Sequence, residues 1–402
     1  MGMKQILVLM AVVALVGCSK DTPETYQAAE AAPQVASKPT PDPVSPADEK
    51  LIADPIVEKE IRSRLDINDN NPKGELTEAD LEKVTKLSLF ETKITDAGLK
   101  ELAKLQRLEG LRLEYTKITD AGLKEVAKLR NLTGLNLLNT QITDAALKDV
   151  AKLQKLERLF LSKTQITNAG LKEVAKLQNL AELSLYNTEI TDAGLKDLAK
   201  LQNLKELILA DTKITDEGLK EMAKLQKLED LALGYTQITD AGLKEVAKLQ
   251  NLTELYLLNT KITDAGLKDV AKLQNLTKLE LSYTDITDAG LNDVAKMQNL
   301  TYLGLGNTQI TDEGLRELAK MQNLTGLILS DTQIIGAGLK EVAKLQNLKS
   351  LRLDRTNITD AGLKEVAKLQ ELETLYLGGT KVTDEARDEL KKALPNCKIY
   401  GP

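Results

Sequence analysis

Residues 249–272 read LQNLTELYLLNTKITDAGLKDVAK, and this 24-residue phrase recurs thirteen times around the threonines that run from Thr92 to Thr380. Leu252, Leu255 and Leu257 alternate with polar residues, so a short strand would turn its leucines to one side and its variable residues to the other. Ile262 turns inward, and Thr263-Asp264 opens a helix, the hydroxyl as N-cap and the carboxylate in the first turn. Leu267, Val270, Ala271 and Leu273 then carry the spacing of a helix with one buried side. Asn275 stands where a left-handed residue would end that helix. Strand plus helix make one coil, and thirteen coils make a solenoid with one continuous core. Strands pack about 4.8 Å apart and helices about 8–10 Å apart, so the stack must curve with the strands inside. The threonine column is expected to satisfy buried loop backbone between successive coils, since buried polar groups need partners.

The pattern LxxLxLxxTxITDAGLKEVAKLQN resembles the leucine-rich-repeat superfamily, in particular its ITDxGL variety, with threonine here in place of a cysteine. The resemblance implies an α/β leucine-rich-repeat solenoid, a right-handed horseshoe of thirteen 24-residue repeats over residues 84–383. A first repeat has no neighbour to cover its apolar edge, so residues 50–83 are expected to form a cap. Ile56, Ile61 and Leu65 have helical spacing there, and Thr77 is placed to cap TEADLEKV. This segment resembles the N-terminal cap of bacterial leucine-rich-repeat proteins, including the internalin type. Residues 384–402 replace the repeat's Gly-Leu pair by Ala386-Arg387 and read as a closing helix, with Cys397 packed inside as a small hydrophobe. Asp69, Asn71, Gly74, Leu76 and Asp80 fall on a calcium-loop spacing, but Lys73 occupies a position that needs an oxygen ligand, so the segment reads as a turn.

The first seventeen residues have the form of a signal peptide, Lys4 preceding an apolar run from Ile6 to Val16 that is too short to span a bilayer. Leu15, Val16, Gly17 and Cys18 resemble the lipobox of bacterial lipoproteins. That resemblance implies cleavage before Cys18, acyl chains on Cys18, and a membrane contact through this lipid anchor. Ser19 is not the aspartate that marks inner-membrane retention in some of these proteins, which favours the outer membrane within the bacterial cell envelope. Residues 18–49 are rich in Pro, Ala, Ser, Thr and acidic residues and read as a tether with no core of its own.

The chain has 54 basic and 60 acidic residues and neither histidine nor tryptophan. The balance lacks the basic stripe that nucleic acids require. Without histidine the commonest general base and the commonest metal ligand are missing, and Cys18 and Cys397 are the only cysteines, so the expectation is a non-enzyme without metal or cofactor.

Variation confined to the slots between the leucines points to a recognition face. Six residues before the threonine, successive coils read Arg158, Glu182, Glu206, Asp230, Glu254 and Lys278, four carboxylates between basic ends. Like charges at strand spacing repel, so the column needs compensation from solvent, from Arg158 and Lys278, or from a cationic ligand. Of nine tyrosines and two phenylalanines, all but Tyr26 and Tyr400 fall in variable slots, and tyrosine is a residue that interfaces enrich. Phe160, Glu182, Tyr186, Glu206, Asp230, Tyr235, Glu254, Tyr256, Tyr283 and Tyr302 are therefore the expected ligand-binding residues, with a contact centre at Tyr235, Tyr256, Tyr283 and Tyr302. The expected ligand is a protein or peptide with a basic segment; the rival is a surface adhesin or scaffold that takes glycan or host material. Two coils depart from the repeat: Ile335-Gly336 replaces Thr-Asp, and Asn168 replaces the aspartate.

Overall fold

A computed structural model describes residues 50–67 and 74–401. The signal peptide, Cys18, the tether and the calcium-loop positions Asp69, Asn71 and Lys73 lie outside the described residues. Fourteen three-residue strands follow one another at intervals of 24 residues: β1 (Lys86–Ser88), β2 (Gly110–Arg112), β3 (Gly134–Asn136), β4 (Arg158–Phe160), β5 (Glu182–Ser184), β6 (Glu206–Ile208), β7 (Asp230–Ala232), β8 (Glu254–Tyr256), β9 (Lys278–Glu280), β10 (Tyr302–Gly304), β11 (Gly326–Ile328), β12 (Ser350–Arg352), β13 (Thr374–Tyr376) and β14 (Lys398–Tyr400). They form one open sheet in chain order, every pair parallel. Each crossover between neighbours runs through a short helix in nearly every coil, as at Asp264–Val270. This is the leucine-rich-repeat solenoid that the repeat implies. Its core is a column of leucines and isoleucines such as Leu252, Leu255, Leu257, Ile262 and Leu267, all but sealed from solvent.

At the first edge, Pro55–Arg64 forms a helix whose opening N–H groups at Ile56 and Val57 bond the Asp54 carboxylate, while Val57 and Ile61 are buried. Thr77 opens the following turn through Asp80, whose carboxylate accepts from the threonine N–H at 3.1 Å and from its hydroxyl at 2.6 Å. The aspartate that matched a calcium-loop spacing is thus engaged in a capping box. At the other edge the Asp384–Ala393 helix is followed by β14, which extends the sheet by one strand beyond the thirteen repeats. Cys397 is buried, and burial raises its thiol pKa.

Two local expectations change. The column threonines bond inside their own coil: the Thr260 hydroxyl donates to the Leu257 carbonyl at 2.6 Å, and the same contact recurs from Thr92 to Thr380. The side chain that joins successive coils is the aspartate. Asp240 accepts from the Thr263 N–H at 2.9 Å and from its hydroxyl at 2.6 Å, one coil further on, while that hydroxyl accepts from Ala265 N at 3.3 Å. The left-handed residue is also elsewhere. Asn275 does not adopt it; its amide donates to the Gln250 carbonyl of the preceding coil at 2.9 Å. The positive φ falls on the residue before each threonine, including Asn259 at 52°, Tyr235 at 58° and Tyr283 at 60°. A chain leaving a strand must turn sharply there, whereas the helix exit is already held by the asparagine bond.

The two irregular coils show how this ladder is maintained. Asn168 offers its carbonyl oxygen to Thr191 N at 3.0 Å but donates to the Thr191 hydroxyl at 2.7 Å, and no side-chain cap forms on the Asp192–Leu198 helix. At Ile335-Gly336 the missing cap is replaced from the neighbouring coil. The Asp312 carboxylate accepts from Ile335 N at 2.9 Å, Gly336 N at 3.1 Å and Gly338 N at 2.6 Å. Gly336 has φ of 107°, and Ile335 is 60% exposed.

Candidate ligand-binding face

Strands β1 to β13 each have a central leucine in the core and their first and third residues turned to the concave side, so the face consists of two columns held by the sheet register. Arg158, Glu182, Glu206, Asp230, Glu254 and Lys278 are direct partners along β4 to β9. The sequence-derived acidic column is therefore a physical column.

Its two basic ends behave differently. Lys278 pairs with Glu254 at 2.8 Å. Arg158 turns away from Glu182 and lies over Gly134, its Nη2 3.2 Å from where a Cβ on that glycine would stand. Lys86 does the same from the opposite side, its Cγ 3.3 Å from the Cβ position of Gly110. Arg112, on β2 between Lys86 on β1 and Asn136 on β3, donates through Nε to Glu114 at 2.8 Å and stacks on Phe90 at 5.4 Å. Glu114 is only 2% exposed. Asn136 donates to the same oxygen as Arg112, at 2.7 Å, and the other carboxylate oxygen is buried without a hydrogen-bond partner.

The tyrosines expected to form one contact centre occupy three different slots. Tyr256 is the third residue of β8 and donates to Glu254 at 2.6 Å. Tyr302 is the first residue of β10 and reaches back to Glu280 at 2.8 Å. Tyr235 and Tyr283 stand at the left-handed corners beyond the strands. Burial first, then the carboxylate each one bonds, holds the Tyr256 and Tyr302 phenols well above the ordinary tyrosine range. They remain hydrogen-bond donors at any ordinary pH, orienting Glu254 and Glu280.

Glu280, which the sequence reading passed over, is buried between Tyr302 and the Ser282 N–H, to which its other oxygen bonds at 2.8 Å. It fits because residue 304 is glycine: a Cβ there would stand 2.1 Å from the carboxylate. The clue was available in the column Glu280, Gly304, but its meaning depends on side-chain direction. Phe160 is 7% exposed and lies mostly within the protein surface. Tyr186 is half-buried beneath the Lys163 ammonium at 5.7 Å, and burial, then Asp211, raises its pKa.

Small residues and one isoleucine separate these groups. Ser184, Ala210, Ala232 and Gly234 are small, and Ile208, paired between Ser184 and Ala232, stands as a half-buried apolar side chain between Tyr186 and Tyr256, beside Glu206 and Asp230. Among the described residues no group of three or more metal-binding side chains comes together, and no helix is long and apolar enough to cross a membrane.

Residues 81–103, 200–223, 224–247, 248–271, 272–295, 296–319 and 344–367 match the leucine-rich-repeat family model. Against curated protein sequences the chain gives no match. An internalin from Listeria monocytogenes is similar at 26% identity, covering 87% of this chain and 95% of its own, with a TM-score of 0.63. A leucine-rich-repeat protein of Leptospira interrogans is 25% identical over 75% of this chain and 80% of its own, with a TM-score of 0.56. A TDR receptor shares the fold at 18% identity and a TM-score of 0.53, over 76% of this chain and 53% of its own.

Proposed function

We propose that the concave sheet binds a protein or peptide bearing a basic segment, and that acyl chains on Cys18 hold the protein in the bacterial cell envelope, at the outer membrane. The carrying observation is the column of Glu182, Glu206, Asp230 and Glu254, locked in register on a framework whose other positions are nearly invariant. Carboxylates stacked at strand spacing repel one another, and beyond the Lys278–Glu254 pair at one end of the column a cation laid along it lessens that repulsion. Tyr256 and Ile208 add apolar contact beside the charges, the combination that concentrates binding energy at protein interfaces. Leucine-rich-repeat solenoids generally serve as protein-binding scaffolds, and the similarity to an internalin supports that reading.

The full chain, immobilised and exposed to envelope extract from its source cell, should retain a protein that the Glu206→Lys, Asp230→Lys, Glu254→Lys variant does not retain. Circular dichroism confirms that the variant is folded. Equal retention by both refutes the acidic column as the contact. Retention abolished by soluble sugars points instead to a glycan-binding adhesin.

A further inference from the structure

The outward residues of β1 to β4 include Lys86, Arg112 and Arg158 and no carboxylate; those of β5 to β8 include Glu182, Glu206, Asp230 and Glu254 and no cation. Glu109 and Glu157 stand just outside, at strand entrances, and Glu114, just past β2, pairs with Arg112. Along the sheet the face changes sign between β4 and β5.

The geometry sharpens this division. Arg158 could have neutralised Glu182, its direct register neighbour. It lies over Gly134 instead, and Lys86 lies over Gly110 from the other side. The adjacent glycines, paired across β2 and β3, provide the space into which both cations lean toward the strand that carries Arg112. A Cβ at either glycine would meet these side chains at 3.2–3.3 Å. Three cations are thereby gathered onto one part of the sheet, as the acidic column gathers carboxylates on the next.

Resting on the reading of the concave face as a peptide-binding surface, we infer that its ligand is an extended protein segment of two charged blocks, an acidic one over Lys86, Arg112 and Arg158 and a basic one over Glu182, Glu206, Asp230 and Glu254. The centres of the two regions lie four strand steps apart, roughly 19 Å at about 4.8 Å per step. Extended chain covers this in about six residues at about 3.3 Å each. Opposed charges across two regions fix both direction and register, which one acidic column cannot do.

The test uses the full chain and three fluorescent synthetic peptides: a glutamate triad and a lysine triad centred six residues apart, the same triads centred three apart, and the lysine triad alone. The six-residue peptide should bind at least tenfold more tightly than either of the others. The Lys86→Ala, Arg158→Ala variant, which leaves the Arg112–Glu114 pair intact, should lose that advantage and bind the lysine-only peptide as before. General attraction to an acidic protein would favour the lysine-only peptide, so the ranking separates the two explanations. Equal binding of all three peptides, or an advantage that survives the double substitution, overturns the two-block assignment while leaving the basic-segment reading in place. Failure of every peptide to bind overturns both.

Discussion

Asn168→Asp should stabilise the protein, through a hydroxyl one coil away. In the regular coils a carboxylate receives the next threonine hydroxyl, which keeps a lone pair for its helix: Thr263 donates to Asp240 at 2.6 Å and accepts from Ala265 N at 3.3 Å. At Thr191 the direction is reversed. The Asn168 amide donates into the hydroxyl at 2.7 Å, and the Asp192–Leu198 helix has no side-chain cap. An aspartate would restore the cap, which contributes about 1 kcal/mol. It would also place a negative charge in the first turn of its own helix, contributing about 0.3–1 kcal/mol. Repulsion from Asp144 and Asp192 in the flanking coils subtracts from this, as it does where aspartates already follow one another. The net gain should be about 1–2 kcal/mol. Repeat arrays open locally, so native-state hydrogen exchange is the direct assay. The Ala193 amide should exchange about 5–30-fold more slowly in the variant, with helices several coils away unchanged. Unchanged or faster exchange at Ala193 would refute the argument that donor direction removes this cap.

Gly304→Ala should expel the Glu280 carboxylate from its place between Tyr302 and Ser282 N, lowering stability by about 1–3 kcal/mol and bringing Tyr302 ionisation to lower pH in an ultraviolet titration. An unfolded tyrosine ionises near pH 10, whereas folded Tyr256 and Tyr302 keep their protons beyond that. Their stabilisation is complete below pH 10 and declines as pH rises through the folded pKa; Tyr256→Phe with Tyr302→Phe should flatten the alkaline loss of stability seen in urea titrations from pH 9 to 11. Asp312→Ala removes the acceptor of three N–H groups and should speed exchange at Ile335, Gly336 and Gly338 at least tenfold relative to other coils.

The coil was legible because leucine spacing encodes both of its periods, two for Leu255 and Leu257 and near four for Leu267, Val270 and Ala271. The acidic column was legible because a fixed repeat length transmits register without knowledge of side chains. What escaped was direction. Nothing in the letters distinguishes an Arg158 that joins Glu182 from one that leans over Gly134, and the choice depends on which neighbour leaves room. The hydrogen-bond partner of Thr260 was misplaced for a related reason: a residue repeated every 24 positions can bond within its coil or to the next, and both patterns give the same sequence; Asn275, read as a left-handed helix end, is held instead by a bond to Gln250 of the preceding coil.

The side-chain rungs between helix starts that tie coil to coil are missing altogether at one step of the stack. Gly336 gives Thr359 no carboxylate, and its Cα stands 2.8 Å from where a Cβ on Gly362 would lie, so these two coils meet backbone to backbone. A spring is only as stiff as its softest turn. Under tension along its length the array should part first between the coils of Ile335 and Thr359, leaving a long segment on the N-terminal side and a short one beyond. In a single-molecule extension record this would be a first step worth a few coils, followed by a longer plateau.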